Sequence, residues 1–142
     1  MRKRDRMGSA EEIFEILVKS YTRRQGGGEG DLCWLPATDA YETDDEFVVQ
    51  MDLAGMDPAG IEVLADSEFL VVRGVRRDIS VPGRKHFHEM EISVGPFSRR
   101  VPLSVAVDPG SGKATYRNGF LYVIFSKGAG EAGNGRRIAI DR

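Results

Sequence analysis

His86 and His88, one residue apart, are the only histidines in this 142-residue chain and the first side chains to weigh for chemistry. On an extended segment they project from one face, as a pair of metal ligands would. A zinc site takes three or four ligands. The single cysteine, Cys33, or a carboxylate would have to complete the set, and no metal site is expected. Gly110-Ser-Gly-Lys113 imitates the end of a phosphate-binding loop, but Val107 stands where the first glycine belongs and Ala114 where the magnesium-binding hydroxyl belongs, so it reads as a turn. Asp44-Asp45-Glu46 and the pair Glu89 and Glu91 have no partner of tuned chemistry and read as solvated turn and strand faces rather than acid/base dyads. Arg76, Arg77, Arg84 and Lys85 form a basic loop without the interleaved aromatics of a single-strand binder. The expectation is a protein with no catalytic residues, no cofactor and no nucleic-acid partner.

The elements that would hold such residues are short strands. Asn118-Gly119 favours the positive φ of a two-residue type I′ turn and lies between apolar runs, which predicts a hairpin over 114–125. The turn sets the register: Arg117 faces Phe120, Tyr116 faces Leu121 and Ala114 faces Val123, with Ala114, Tyr116, Leu121 and Val123 on the core face. The opposite face of the second strand, Phe120, Tyr122 and Ile124, is too apolar to be left in water and calls for a cover.

Before the hairpin, the sequence alternates with period two from Trp34 onward. Strands are expected at Asp39 to Thr43, Phe47 to Leu53, Ile61 to Leu64 and Phe69 to Val72, with a turn at Ala54-Gly55-Met56-Asp57-Pro58. Gly74 to Lys85 is polar and basic with a small apolar kernel at Ile79 and Val81, a candidate stray strand. His86 to Val94 and Phe97 to Leu103 follow as strands hinged at Gly95-Pro96. Seven or eight short strands with turn signals between them mean an all-β sandwich or barrel.

Outside this region, Ser9 with Glu12 is a capping-box pattern, and Ile13, Phe14, Ile16, Leu17 and Tyr21 follow at helical spacing, so residues 9–24 are expected to be a helix. Gln25-Gly-Gly-Gly-Glu-Gly30 is a flexible linker that detaches it. The glycine-dominated stretch Gly128 to Gly135 should be mobile, and beyond it Ile138 and Ile140 point the same way in an extended strand. The expected division is an arm over 1–33, a sandwich over 34–127 and a tail over 128–142.

The totals are compatible with one domain and one core, with 41% hydrophobic residues. A formal net charge of -2 gives no global attraction to nucleic acid or an anionic membrane. No apolar run reaches the roughly 18 residues of a membrane span and no signal-peptide pattern opens the sequence. A lone cysteine suits a reducing compartment, and a cytoplasmic location is expected.

Asp39-Ala-Tyr-Glu-Thr43, Asp52-Leu-Ala-Gly-Met56, Glu91-Ile-Ser-Val-Gly-Pro-Phe-Ser-Arg99, Ala114 with Asn118-Gly-Phe-Leu121, and Ile138-Ala-Ile140, in this order and spacing, resemble the small heat-shock proteins of bacterial type, the α-crystallin family. The resemblance covers about residues 36–142. Ala54, Phe120 and Ser104 depart from the residues usual there, which touches turn stiffness and one side chain and not the fold. The resemblance implies an immunoglobulin-like antiparallel β-sandwich, homo-oligomers built from dimers, and capture of partly unfolded proteins without ATP. It implies a dimer contact at Tyr41, Ile79, Val81 and Arg99, in which a strand after Gly74 pairs with an early strand of a partner. It further implies that Ile138 and Ile140 dock in a groove of a neighbouring subunit, assigned here to Ile61, Val63, Val101 and Leu103. The arm residues Ile13, Phe14, Ile16, Leu17 and Tyr21 are then the expected client surface. The alternative on the same fold is a co-chaperone module that docks on one specific partner; such modules lack the tail motif, so Ile138-Ala-Ile140 discriminates.

Overall fold

A computed structural model describes residues 34–128 and 135–142. The expected arm helix and its apolar stripe, Cys33, and most of the glycine-rich stretch lie outside the described residues.

The hairpin is where local chemistry acts most visibly. Strands β6 (Lys113–Arg117) and β7 (Phe120–Ser126) are joined by Asn118 at φ 54° and Gly119 at φ 83°. Both residues sit in the left-handed region that Asn and Gly tolerate best. The pairing is Arg117 with Phe120, Tyr116 with Leu121 and Ala114 with Val123, as the turn dictates. Ala114, Leu121 and Val123 are buried in the core. Tyr116 packs against it, and its hydroxyl donates to the Leu53 carbonyl (2.8 Å) and accepts from the Met56 amide (3.3 Å). The phenol is thereby satisfied and ties down the turn after the second strand.

That sheet continues outward from β7 to β2 (Glu46–Asp52) and β1 (Thr38–Glu42). The second sheet runs β5 (Gly95–Pro102), β4 (Phe69–Arg76), β3 (Ile61–Ala65). Two short tail strands complete them: β8 (Arg136–Arg137) on the edge of β3 and β9 (Ile140–Asp141), parallel, on the edge of β6. Alternation along each strand drives one face inward. Met51, Leu53, Leu70, Val72, Phe97, Leu121, Val123 and Phe125 fill the space between the sheets with almost no exposure. This is an immunoglobulin-like β-sandwich.

Three expectations change. Gly95 and Pro96 begin β5 and pair with Arg76 and Val75, so they do not hinge two strands. No strand forms at Ile79 and Val81, and none forms over 86–94. Both segments have strand-like alternation, but each lies outside the pairing reach of the two sheets, and a strand without a pairing edge leaves its backbone groups to water. His86 and His88 are therefore exposed loop residues and share no strand face.

The outer face of the β7 sheet is as apolar as its sequence indicates. Register places Tyr41, Val48 and Ile124 in one row and Gln50 with Tyr122 in the next. Phe120, Tyr122 and Ile124 are half-buried, and the Arg117 guanidinium lies 5.3 Å from the Tyr122 ring, a local cation–π cover.

Candidate functional site

A two-layer sandwich has two open flanks, where edge strands of opposite sheets face each other. Here β1 and β5 bound one flank, and β3 and β6 bound the other. The residues singled out by sequence fall on these flanks.

The β1/β5 flank is plugged by the chain entering the first strand. The Trp34 indole donates to the Gly95 carbonyl (2.9 Å), and its ring lies 5.1 Å from that of Phe97. Arg76 stacks over Trp34 at 4.0 Å and donates twice to the Ser93 carbonyl, by Nε at 2.9 Å and Nη2 at 2.6 Å. Arg99 donates to the Pro36 carbonyl (3.2 Å). Arg76 thus clasps the two ends of the excursion over 77–94, leaving β4 and returning to β5 at fixed positions. Near its start, the Asp78 carboxylate accepts the Ser80 amide (2.9 Å); that bond, aided by the Ser80 side chain, holds the Asp78 carboxyl below its usual range.

Seven large hydrophobic residues are exposed among those described, and five of them, Ile79, Val81, Phe87, Met90 and Ile92, belong to this excursion. Of the expected dimer residues, Tyr41 lies exposed on β1 and Arg99 half-buried on β5, the two edge strands of this flank, while Ile79 and Val81 hang on the loop between β4 and β5. Sequence reasoning missed Trp34 and Arg76 as the clasp, because nothing local couples residues so far apart. It also did not single out Phe87, Met90 and Ile92, although Met90 and Ile92 alternate with Glu89 and Glu91.

The β3/β6 flank holds the tail. The Ile138 amide donates to the Val63 carbonyl (2.9 Å), and its side chain is 9% exposed, packed into the core cluster. Ile140 is half-buried beside Ala114. Glu62 on β3 accepts from both Arg73 on β4 and Arg137 on the tail, an ion-paired trio that fixes the tail's register. Within the described chain the motif therefore fills the groove of its own sandwich.

Of the groove residues assigned from sequence, Ile61 and Val63 lie on β3 at the tail. Val101 and Leu103 do not: Val101 is on β5 and Leu103 just beyond it, at the far edge of the sheet, with β4 and β3 intervening, and both are core. Their place is taken by β6 and by Gly112, which alternation could not reveal because the facing strand belongs to the other sheet. A Cβ on Gly112 would stand 2.7 Å from Ile138 Cδ1 and 2.8 Å from Phe125 Cε1, so glycine keeps the Ile138 socket open. Gly112→Ala is expected to cost about 1–3 kcal/mol by overpacking and to raise hydrogen exchange at the Ile138 amide; unchanged exchange there would remove Gly112 from the socket.

Among the described residues no group of three or more His, Cys, Asp or Glu comes within reach of one metal ion. The turn over 108–112 uses its polar groups internally: the Ser111 hydroxyl donates to the Asp108 carbonyl (2.6 Å) and accepts the Ser126 amide (2.8 Å). Among the described residues no helix is long and apolar enough to cross a membrane.

Residues 39–141 match the Hsp20/alpha crystallin family. The chain is similar to the small heat shock protein HspA of Bradyrhizobium diazoefficiens, 30% identical over 131 residues that make up 92% of this chain and 80% of that protein. It is 27% identical to small heat shock protein C2 of Rickettsia felis over 135 residues, 95% of this chain and 86% of that one. Among solved structures, hspA from Xanthomonas axonopodis superimposes with a TM-score of 0.62 at 35% identity, covering 69% of this chain and 98% of the other. A small heat-shock protein from Xylella fastidiosa does so with a TM-score of 0.60 at 34% identity, covering 78% and 99%. The family match spans both sheets, both flanks and the tail, and the chain belongs to the Hsp20/alpha crystallin family, the small heat shock proteins, which are stress chaperones.

Proposed function

We propose that the protein is an ATP-independent holdase of the cytoplasm, which assembles into homo-oligomers and binds partly unfolded proteins before they aggregate. The observation that carries this is the clustering of exposed apolar side chains on one clasped excursion, 77–94, of a domain whose β1 has a free edge among the described residues. An apolar surface of this kind on a folded domain is a protein-binding surface. A free edge strand and a segment of strand-like alternation in one chain suit pairing between two copies, the excursion of each adding to β1 of the other.

The tail supplies the second contact. Gross burial of two isoleucines is worth roughly 3–6 kcal/mol, and ordering the glycine-rich stretch removes part of it. A random coil of the length from Lys127 to Ile138 spans about 18 Å root-mean-square, enough to trade the socket of its own sandwich for that of a neighbour. Several such tails hold an assembly through effective concentration while each releases often. Release uncovers the groove at Ile61 and Val63, and with the arm residues Ile13, Phe14, Ile16, Leu17 and Tyr21 this forms the surface offered to clients.

The test is light scattering from a heat-labile client with and without equimolar protein and no nucleotide, alongside the protein's own mass. Suppression by a multi-subunit particle is expected. No suppression from a monomer or dimer would overturn the holdase reading in favour of a module that docks on one partner. Deleting residues 1–30 is expected to remove roughly half or more of the suppression, since the arm's sequence sets Ile13, Phe14, Ile16, Leu17 and Tyr21 at helical spacing; full retention would take the arm out of client binding.

A further inference from the structure

Between β3, β4 and the docked tail lies a recess of about 510 Å³. The charged side chains that line it are four arginines, Arg73, Arg77, Arg137 and Arg142, and one carboxylate, Glu62. That is a concentrated positive field on a chain of net charge -2. Glu62 is already engaged by Arg73 and Arg137. Among the described residues Arg142 pairs only with Asp57, at 3.7 Å with both side chains more than 70% exposed, a contact of little strength. Arg77 has no ion-pair partner among the described residues. Beside these charges the recess has apolar walls, with Val75 from β4 and Ile138 and Ile140 from the tail. A cavity of several hundred Å³ with apolar walls and a few convergent polar groups is the usual form of a small-molecule site.

We propose that this recess binds a single-chain amphiphile with an anionic head, of the fatty-acid class: the carboxylate between Arg77 and Arg142, the alkyl chain along Val75 and the two isoleucines. Charge complementarity selects the head, since arginine pairs carboxylates through two parallel donors. The walls select an alkyl chain over a bare anion.

The site has a regulatory consequence. Arg137, Ile138, Ile140 and Arg142 all come from the tail, so the recess is complete only while the tail is docked. A ligand that binds the docked arrangement alone must stabilise it by mass action. Fatty acid therefore slows tail release and, with it, exchange of subunits.

The experiment is calorimetric titration of the full-length protein with decanoate below its micelle concentration, with 1-decanol and sodium sulfate as head-free and chain-free controls. Decanoate is expected to saturate a single site per chain, with decanol and sulfate at least about tenfold weaker. Arg77→Gln with Arg142→Gln should weaken decanoate at least about tenfold, the loss of one charged contact or more. Hydrogen exchange at the Ile138 amide should slow on adding decanoate. Equal binding of decanol, or undiminished binding to the double variant, would mean a nonspecific apolar surface and overturn the site. Binding with no slowing at Ile138 would overturn its completion by the tail. These readouts follow ligand and tail, so a failure to suppress client aggregation would leave them unchanged.

Discussion

Replacing Ile138 and Ile140 together by alanine will collapse the assembly to small species while leaving the sandwich folded. Ile138 is almost fully buried between the β3 and β6 edges, and its amide bonds Val63. Truncating a buried isoleucine costs about 2–5 kcal/mol where the site cannot collapse. The socket here is held open by Gly112 and the Phe125 ring, so little collapse is available. In the proposed assembly tail docking is a weak equilibrium repeated on every subunit, and a loss of that size would remove it from each copy at once. The rest of the core, from Met51 and Leu70 to Phe97 and Val123, is supplied by the strands of the two sheets. Light scattering should show the mass falling toward a dimer, with far-UV circular dichroism unchanged. Ile138→Val should retain most of the mass, since it removes one methylene. A mass distribution indifferent to the double substitution would sink the role given to the tail.

Exchanging Met90 and Ile92 for serine is expected to separate the proposed dimer without unfolding its subunits. Both side chains are exposed in the single chain, at 72% and 81%. Exposed substitutions ordinarily change stability by no more than about 0.5 kcal/mol. In the paired arrangement the same side chains would be buried against β1 of the partner, near Tyr41, and central anchors of an interface cost 2 kcal/mol or more on truncation, roughly thirtyfold in dissociation constant. The signature is a near-constant melting temperature at high dilution together with a monomer mass where the parent is dimeric. Dimers persisting at the same dilution would move the contact off this excursion. Ile79 and Val81, expected from the sequence to lie in the contact, are exposed on the same excursion, and the same substitution there gives a second reading of its extent.

What could be read from the chain and what could not divide along a physical line. The hairpin was legible to the residue pair, since Asn118-Gly119 admits few turn geometries and a two-residue turn leaves one register. Strands β2, β3 and β4 were legible because alternation persists wherever one face is buried, and β4 runs on past Val72 to Arg76 only because β5 pairs with it along that length. The segment 86–94 read as a strand and is loop, for the complementary reason: its side chains alternate, but within one chain no edge lies beside it.

The groove shows the same division at the level of the site. The spacing of Ile138 and Ile140 puts them on one face of an extended strand, and the resemblance assigned Ile61, Val63, Val101 and Leu103 to a groove; the tail lies on β3, the strand of Ile61 and Val63. Val101 and Leu103 carry the same residue types and alternation, and no local property separates them from Ile61 and Val63. They differ in strand order, which puts them at the other edge of the sheet.

The sequence by itself determined the fold class, the hairpin register, the apolar tail motif and the lack of a complete phosphate-loop pattern, because periodicity and turn chemistry act over a few residues. Only the tertiary structure decided that β3 faces β6 across the tail, that Trp34 and Arg76 clasp the base of the 77–94 excursion, and that Arg73, Arg77, Arg137 and Arg142 surround one recess. Those juxtapositions join residues tens of positions apart, and the order and packing of two sheets around a common core create them.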